Sequence, residues 1–265
     1  MYRIKCAAFT HPGKVRENNE DNFYAAGKWR QNIENGCYAV LETVKNEKLT
    51  LAVCDGMGGQ ELGEMASLIA VETLDSFIKK EGLLTTESLH DYVQSANDAI
   101  CRLMEKEKKR IGSTMAVLQF SGQTVLAANI GDSRIYHCKE NKLEQISYDH
   151  TVVGRMIRMG QLTKEEAKLH PNRHQITQYL GIFPDEMILE AYEKTDENVS
   201  IGDKYLLCSD GLTDMLTDEQ IEEILNRKEP VEELARSLVQ AAIDAGGKDN
   251  VTVVVAEICK KRFLF

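Results

Sequence analysis

Short apolar runs and longer stretches of helical spacing divide this 265-residue chain into blocks. Residues 1–26 carry short strand-like pieces around a polar loop, His11–Asp21. Cys37–Val44 and Leu49–Cys54 alternate or run apolar on either side of Lys45-Asn46-Glu47-Lys48, which predicts a hairpin. The period then changes. Leu62, Met65, Ala66, Ile69, Ala70, Thr73, Leu74 and Phe77 fall at helical spacing and Gly82 closes the run, predicting a helix over Gln60–Lys80. A second helix is predicted over Thr86–Lys109, with Leu89, Tyr92, Val93, Ala96, Ala99, Ile100, Leu103 and Met104 on one face.

Strands return over Thr114–Phe120, Thr124–Asn129, Arg134–Cys138 and Lys142–Ile146, separated by turn-forming residues. Residues 147–200 are less regular. Short helices are predicted near Val152–Met159 and after the capping box Thr163…Glu166. Lys204–Cys208 is a buried strand, Thr217…Gln220 caps another short helix, and Pro230 and Gly246 bracket a longer one. Val251–Ile258 is the last strand. No repeat, low-complexity tract or Pro/Gly/Ser linker divides the chain, so 1–265 reads as a single domain. Its element order fits an α+β layered fold with helices outside a β core.

Composition narrows the function classes. The formal charge is −10, with 42 acidic against 32 basic residues, a poor balance for gripping a nucleic-acid backbone. The seven cysteines form no Cys-x-x-Cys pair, which argues against a zinc site and for a reducing compartment. The amino terminus lacks an apolar region long enough for a signal peptide, and no apolar run is long enough to span a membrane. A cytoplasmic protein with no membrane or nucleic-acid partner is expected.

Chemistry concentrates where strands end in acids. Leu51-Ala52-Val53-Cys54 runs into Asp55-Gly56-Met57-Gly58-Gly59, a glycine-rich loop that lets a ligand approach the backbone closely. Tyr205–Gly211 repeats the design, ending in Asp210. Asp132 follows the strand 124–129, and Asp249 immediately precedes the last one. Asp55, Asp132 and Asp249 are each open to a plain reading as turn residues. Their repeated placement is the signal. Strand ends share a rim, where clustered carboxylates require a cation, and oxygen donors without His or Cys select Mg²⁺, Mn²⁺ or Ca²⁺. The amino-terminal loop adds Glu20-Asp21, and Arg16, whose fork suits a phosphate group.

Seven segments in this order resemble the metal-dependent type 2C Ser/Thr protein phosphatases of bacterial type. They are Arg16–Asp21, Asp55–Gly59, Gly112-Ser113-Thr114, Asn129–Arg134, Asp149-His150-Thr151, Ser209–Asp214 and Gly247–Thr252. The resemblance implies a central β-sandwich of two sheets flanked by helices, a four-layer αββα arrangement with the metal site at one end. It implies that Asp55 bridges two Mn²⁺ or Mg²⁺ ions. Asp210 and Asp249 would hold the first ion, and the Gly56 carbonyl with Glu20-Asp21 the second. Asp132 with Asp210 would form a third, weaker position, Arg16 would bind the substrate phosphate, and 151–200 would be a flap-like insert.

The activity so implied is hydrolysis of phosphoserine and phosphothreonine monoesters in proteins, opposing a Ser/Thr kinase, by direct attack of a metal-bridging hydroxide. One departure stands out. Met57 occupies a position where many eukaryotic members have His, and Met cannot donate a proton to the leaving group; His150 is a conceivable substitute, against its plainer reading as a buried, satisfied histidine. Two rival readings are a catalytically silent scaffold of the same fold, and a nuclease or phosphodiesterase. The first would be marked by a lost metal acid, and Asp55, Asp210 and Asp249 are all present.

Overall fold

The computed structural model describes residues 2–31, 38–44, 48–58 and 62–260. With strands numbered in chain order, one six-stranded sheet runs β11 (Lys142–Gln145), β10 (Arg134–Lys139), β13 (Lys204–Cys208), β14 (Val251–Lys260), β1 (Tyr2–His11), β4 (Tyr38–Val44). The other runs β12 (Tyr192–Asp196), β9 (Thr124–Ile130), β8 (Met115–Ser121), β5 (Lys48–Cys54), β2 (Asn22–Ala25), β3 (Lys28–Trp29). A small antiparallel ribbon pairs β6 (Gly56–Met57) with β7 (Gly112–Ser113).

The two sheets pack face to face, and the two-residue period explains how. In β14, Val254, Ala256 and Ile258 join the core between the sheets, while Val251, Val253 and Val255 face the opposite way. Those outward residues pack on α7 (Val231–Asp244) and share one core with Ala235, Leu238 and Ala242 of that helix and with Ile221 and Leu225 of α6 (Asp218–Leu225). In β5, Leu49, Leu51 and Val53 point into the sandwich, and Ala52 and Cys54 meet α1 (Gly63–Glu81) and α2 (Thr86–Glu107). Strands buried on both faces therefore read as continuous apolar runs, and the result is four layers, αββα.

Helix ends follow the predicted signals. Gly82 adopts φ 80° and donates to the Ile78 carbonyl. The Thr163/Glu166 and Thr217/Gln220 boxes cap α4 (Lys164–Leu169) and α6. The first helix begins at Gly63 within the described residues, and 59–61 lie outside them. Pro230 is the N-cap of α7, one position before its first turn.

Three expectations are corrected. Residues 38–44 and 48–54 form no hairpin: β4 pairs with β1 at the edge of one sheet, and β5 sits between β8 and β2 in the other. The chain crosses between sheets here, because β1 offers β4 a free edge while β5 buries both faces; the intervening residues 45–47, like Cys37, lie outside the described residues. The short pieces expected over 1–26 are one ten-residue strand, β1, with β2 beyond the loop. Within the irregular stretch, Tyr192–Asp196 is an edge strand on β9 whose charged, exposed residues carry no alternation signal.

Candidate metal centre

The loops at one rim of the sandwich carry every predicted site residue. Asp55 follows β5, Asp132 follows β9, Asp210 opens the one-turn α5 (Asp210–Thr213) after β13, Asp249 precedes β14, and Glu20-Asp21 precedes β2. Asp55 is fixed through its backbone: its N–H donates to Thr114 Oγ1 at 2.9 Å, and its carbonyl accepts the Thr114 N–H at 2.8 Å. Gly56 pairs with Ser113, and a Cβ there would stand 2.0 Å from the Gly63 carbonyl oxygen and 2.6 Å from that of Glu20. The Gly56 N–H donates to that Glu20 carbonyl, so the Asp55 and Glu20 loops are sewn together.

Asp21 is wholly buried. Its Oδ2 accepts from Ser209 Oγ at 2.7 Å, and its Oδ1 has no partner. Asp132, also buried, has an equally unpartnered Oδ1. Asp55 and Asp210 are half-buried.

Burial pushes the Asp55 carboxyl well above the ordinary carboxylate range, and Asp21, Asp210, Asp132 and Asp249 push it further. Asp210 is raised in the same way, by burial and then by Asp132, Asp214, Asp249 and Asp21. Asp132 rises to about 7 through burial and Asp149, and Asp21 to about 6 through burial, partly offset by hydrogen bonds from Thr252 and Ser209. Glu20 rises to about 6 through burial and its neighbour Glu64.

Five carboxylates that disfavour one another's charge, two with orphaned buried oxygens, form a donor set suited to hard divalent cations. Arg16 approaches from outside. It is 55% exposed, and its Nη2 donates to Asp249 Oδ2 at 2.7 Å, an ion pair that holds its guanidinium at the rim.

Other residues support the rim. Asn250, 5% exposed, accepts the Glu20 N–H on Oδ1 at 2.7 Å and donates from Nδ2 to the Pro12 and Asn18 carbonyls at 2.9 and 2.8 Å. One side chain thus ties down the loop that bears Arg16. Arg134, beside Asp132, grips Asp149 through Nε and Nη2. His174, within the stretch expected to be a flap-like insert, is not among the expected site residues; ligand atoms of His174, Asp210 and Asp214 lie within 4.8 Å of one another. Nothing in its Arg-His-Gln surroundings announces this. His150 is buried and accepts the Gly131 N–H on Nδ1 at 3.2 Å, the bonding of a satisfied histidine.

Fold and site together define an αββα sandwich with a group of carboxylates at one rim. A family model for protein phosphatase 2C matches residues 19–155. The serine/threonine phosphatase stp of Listeria monocytogenes is 33% identical over 258 residues, covering 94% of this chain and 93% of that protein. The serine/threonine protein phosphatase PstP of Mycobacterium tuberculosis is 36% identical and covers 96% of this chain, which spans 45% of that longer relative. A crystal structure of the M. tuberculosis phosphatase PstP/Ppp superposes with a TM-score of 0.81 at 35% identity, over 98% of this chain and all of that one. The PstP catalytic domain in complex with two manganese ions gives 0.78 at 34%, with the same coverage. The chain belongs to the protein phosphatase 2C family.

Proposed function

We propose that this chain is a metal-dependent phosphatase that hydrolyses phosphoserine and phosphothreonine monoesters in proteins. The observation that carries the reading is that strand register brings the loops bearing Asp21, Asp55, Asp132, Asp210 and Asp249 to one rim, with orphaned oxygens on Asp21 and Asp132. The similarity to PstP, whose catalytic domain binds two manganese ions, supports it.

Asp55 with Asp210 and Asp249 would hold one Mn²⁺ or Mg²⁺ ion, and Asp55 with the Gly56 carbonyl and Glu20-Asp21 a second; Asp132 with Asp210 offers a third, weaker position. Such a pair supplies charge neutralisation and a nucleophile of lowered pKa for in-line displacement at phosphorus. The protein's own contribution is placement. Thr114 sets the Asp55 backbone, and Asn250 anchors the loop that presents Arg16. Arg16, held at the rim by Asp249, offers a planar fork to the phosphoryl oxygens of the substrate dianion. Met57, half-buried two residues after Asp55, provides no proton, so leaving-group protonation falls to water.

The substrates would be phosphoproteins supplied by an opposing Ser/Thr kinase in the cytoplasm. The six described cysteines, all free, support that compartment. No helix among the described residues is long and apolar enough to cross a membrane.

The test is turnover of p-nitrophenyl phosphate with Mn²⁺ against that of the bis-phenyl diester, in wild type and Asp55→Asn. Mn²⁺-dependent monoester hydrolysis, abolished in the variant, is expected. A preference for the diester would indicate a phosphodiesterase, and inertness toward both a silent scaffold. Near-normal activity of Asp55→Asn would refute its bridging role.

A further inference from the structure

A groove of about 310 Å³ opens beside the acid cluster. Met57, Ile111, Ile176 and Tyr179 give it an apolar lining, with Arg110 and His174 also on its wall. Two of its lining residues adjoin the candidate metal centre. Met57 stands two residues beyond Asp55, and a His174 ring nitrogen lies within 4.8 Å of an Asp210 carboxylate oxygen. The groove therefore lies next to the acids that would face a phosphoryl group.

Its walls are tied in position. Met57 pairs with Gly112 in the ribbon, the next residue Ser113 exchanges two backbone hydrogen bonds with Leu180 at 2.9 and 2.8 Å, and Ile176 bridges to Thr151. A Cβ on Gly112 would come within 2.4 Å of the Tyr179 ring, so glycine lets the two walls close to this spacing. A groove already formed demands little ordering from a ligand.

Its charge decides what it accepts. Arg110 is engaged by both carboxylate oxygens of Glu186 and lies 5.5 Å from the Phe183 ring centroid. His174 Nδ1 likewise faces Asp214 Oδ2 at 3.5 Å, so both basic groups on the wall already have acidic partners, while the lining offers apolar area. An extended peptide that delivers its phosphoryl group to the acid cluster has to lay a neighbouring residue along this surface.

We propose that the groove seats a residue flanking the phosphorylated Ser or Thr of the substrate and selects a bulky apolar side chain there. The inference rests on the phosphatase reading above. Apolar pockets discriminate by roughly 10- to 200-fold per methylene in kcat/KM, so a Leu over Ala preference of at least about tenfold is expected.

The test uses phosphothreonine peptides with an alanine background. Leu, Asp or Ala is placed singly at the two positions on each side, and phosphate release with Mn²⁺ gives kcat/KM. One flanking position should favour Leu over Ala by about tenfold or more, with Asp no better than Ala. In Ile176→Trp, which fills the groove, that Leu:Ala ratio should fall toward unity. Being a ratio, it is independent of any general loss of activity. Should Ile176→Trp fail to fold by circular dichroism, Ile176→Asp, which sets a charge in the groove, reads the same ratio. Equal rates for Leu and Ala at every position overturn the proposal. So does a preference for Asp, or a Leu:Ala ratio that survives groove filling. Wild type that releases phosphate from p-nitrophenyl phosphate but shows no flank preference sinks the groove alone; inertness toward every ester sinks the phosphatase reading with it.

Discussion

Replacing Asn250 by Ala tests how the rim is held together, because one buried side chain there fastens three points of the Pro12–Glu20 loop. Truncation removes the acceptor of the Glu20 N–H and the donor to the Pro12 and Asn18 carbonyls. Each bond contributes about 1 kcal/mol net, and more where the orphaned partner stays buried, so the loss sums to roughly 3 kcal/mol. For a domain of this size each kcal/mol moves the midpoint by about 2–4 °C, which puts Asn250→Ala roughly 6–12 °C below wild type. The released loop carries Arg16 and leads into Glu20-Asp21, so catalysis should suffer alongside stability. Misplacing a positioning group by about 1 Å costs on the order of 100-fold, and kcat/KM toward p-nitrophenyl phosphate at a fixed excess of Mn²⁺ should fall by roughly 10- to 100-fold. Differential scanning fluorimetry and steady-state kinetics on one preparation read both effects. A variant that melts within about 2 °C of wild type and retains its kcat/KM would show that the loop is held by something other than Asn250.

Two further outcomes follow from the crowding at the rim. Asp132 holds its proton up to about 7 in the folded chain against an ordinary 3.8. Its stabilising contribution is therefore complete below that ordinary value and lost as pH rises through about 7. In chelator, the melting-temperature advantage of Asp132→Asn over wild type should grow across that window and level off above it; an advantage independent of pH contradicts the assignment. Gly56→Ala drives a Cβ against two backbone oxygens, at 2.0 and 2.6 Å, that have no flexible end to yield. Overpacking of this kind costs about 1–3 kcal/mol, and an unchanged urea midpoint would mean that the Asp55 and Glu20 loops are less tightly sewn than described.

Signals that act over a turn or a single strand were legible in the residues themselves. The Thr163/Glu166 and Thr217/Gln220 boxes, the Gly82 stop and the apolar run of β14 each need neighbours no more than a few residues away. The acids at strand ends were legible for a related reason: an acid that stands just after or just before an apolar strand, as Asp55, Asp210 and Asp249 do, must lie at a sheet rim. What failed was partner choice. The runs 38–44 and 48–54 read as a hairpin because their turn is local, yet each found a different sheet.

The chain by itself determined the period of the two long helices and of β14, and the placement of Asp55, Asp132, Asp210 and Asp249 at strand termini. Only the tertiary structure decided that these rims coincide, that Asn250 clasps the Arg16 loop, that His174 reaches Asp210, and that Met57 and Tyr179 wall one groove. The reason is physical. Hydrogen-bond periods and caps are set by torsions along a few residues, whereas the meeting of groups two hundred residues apart is set by two sheets burying their apolar faces against each other.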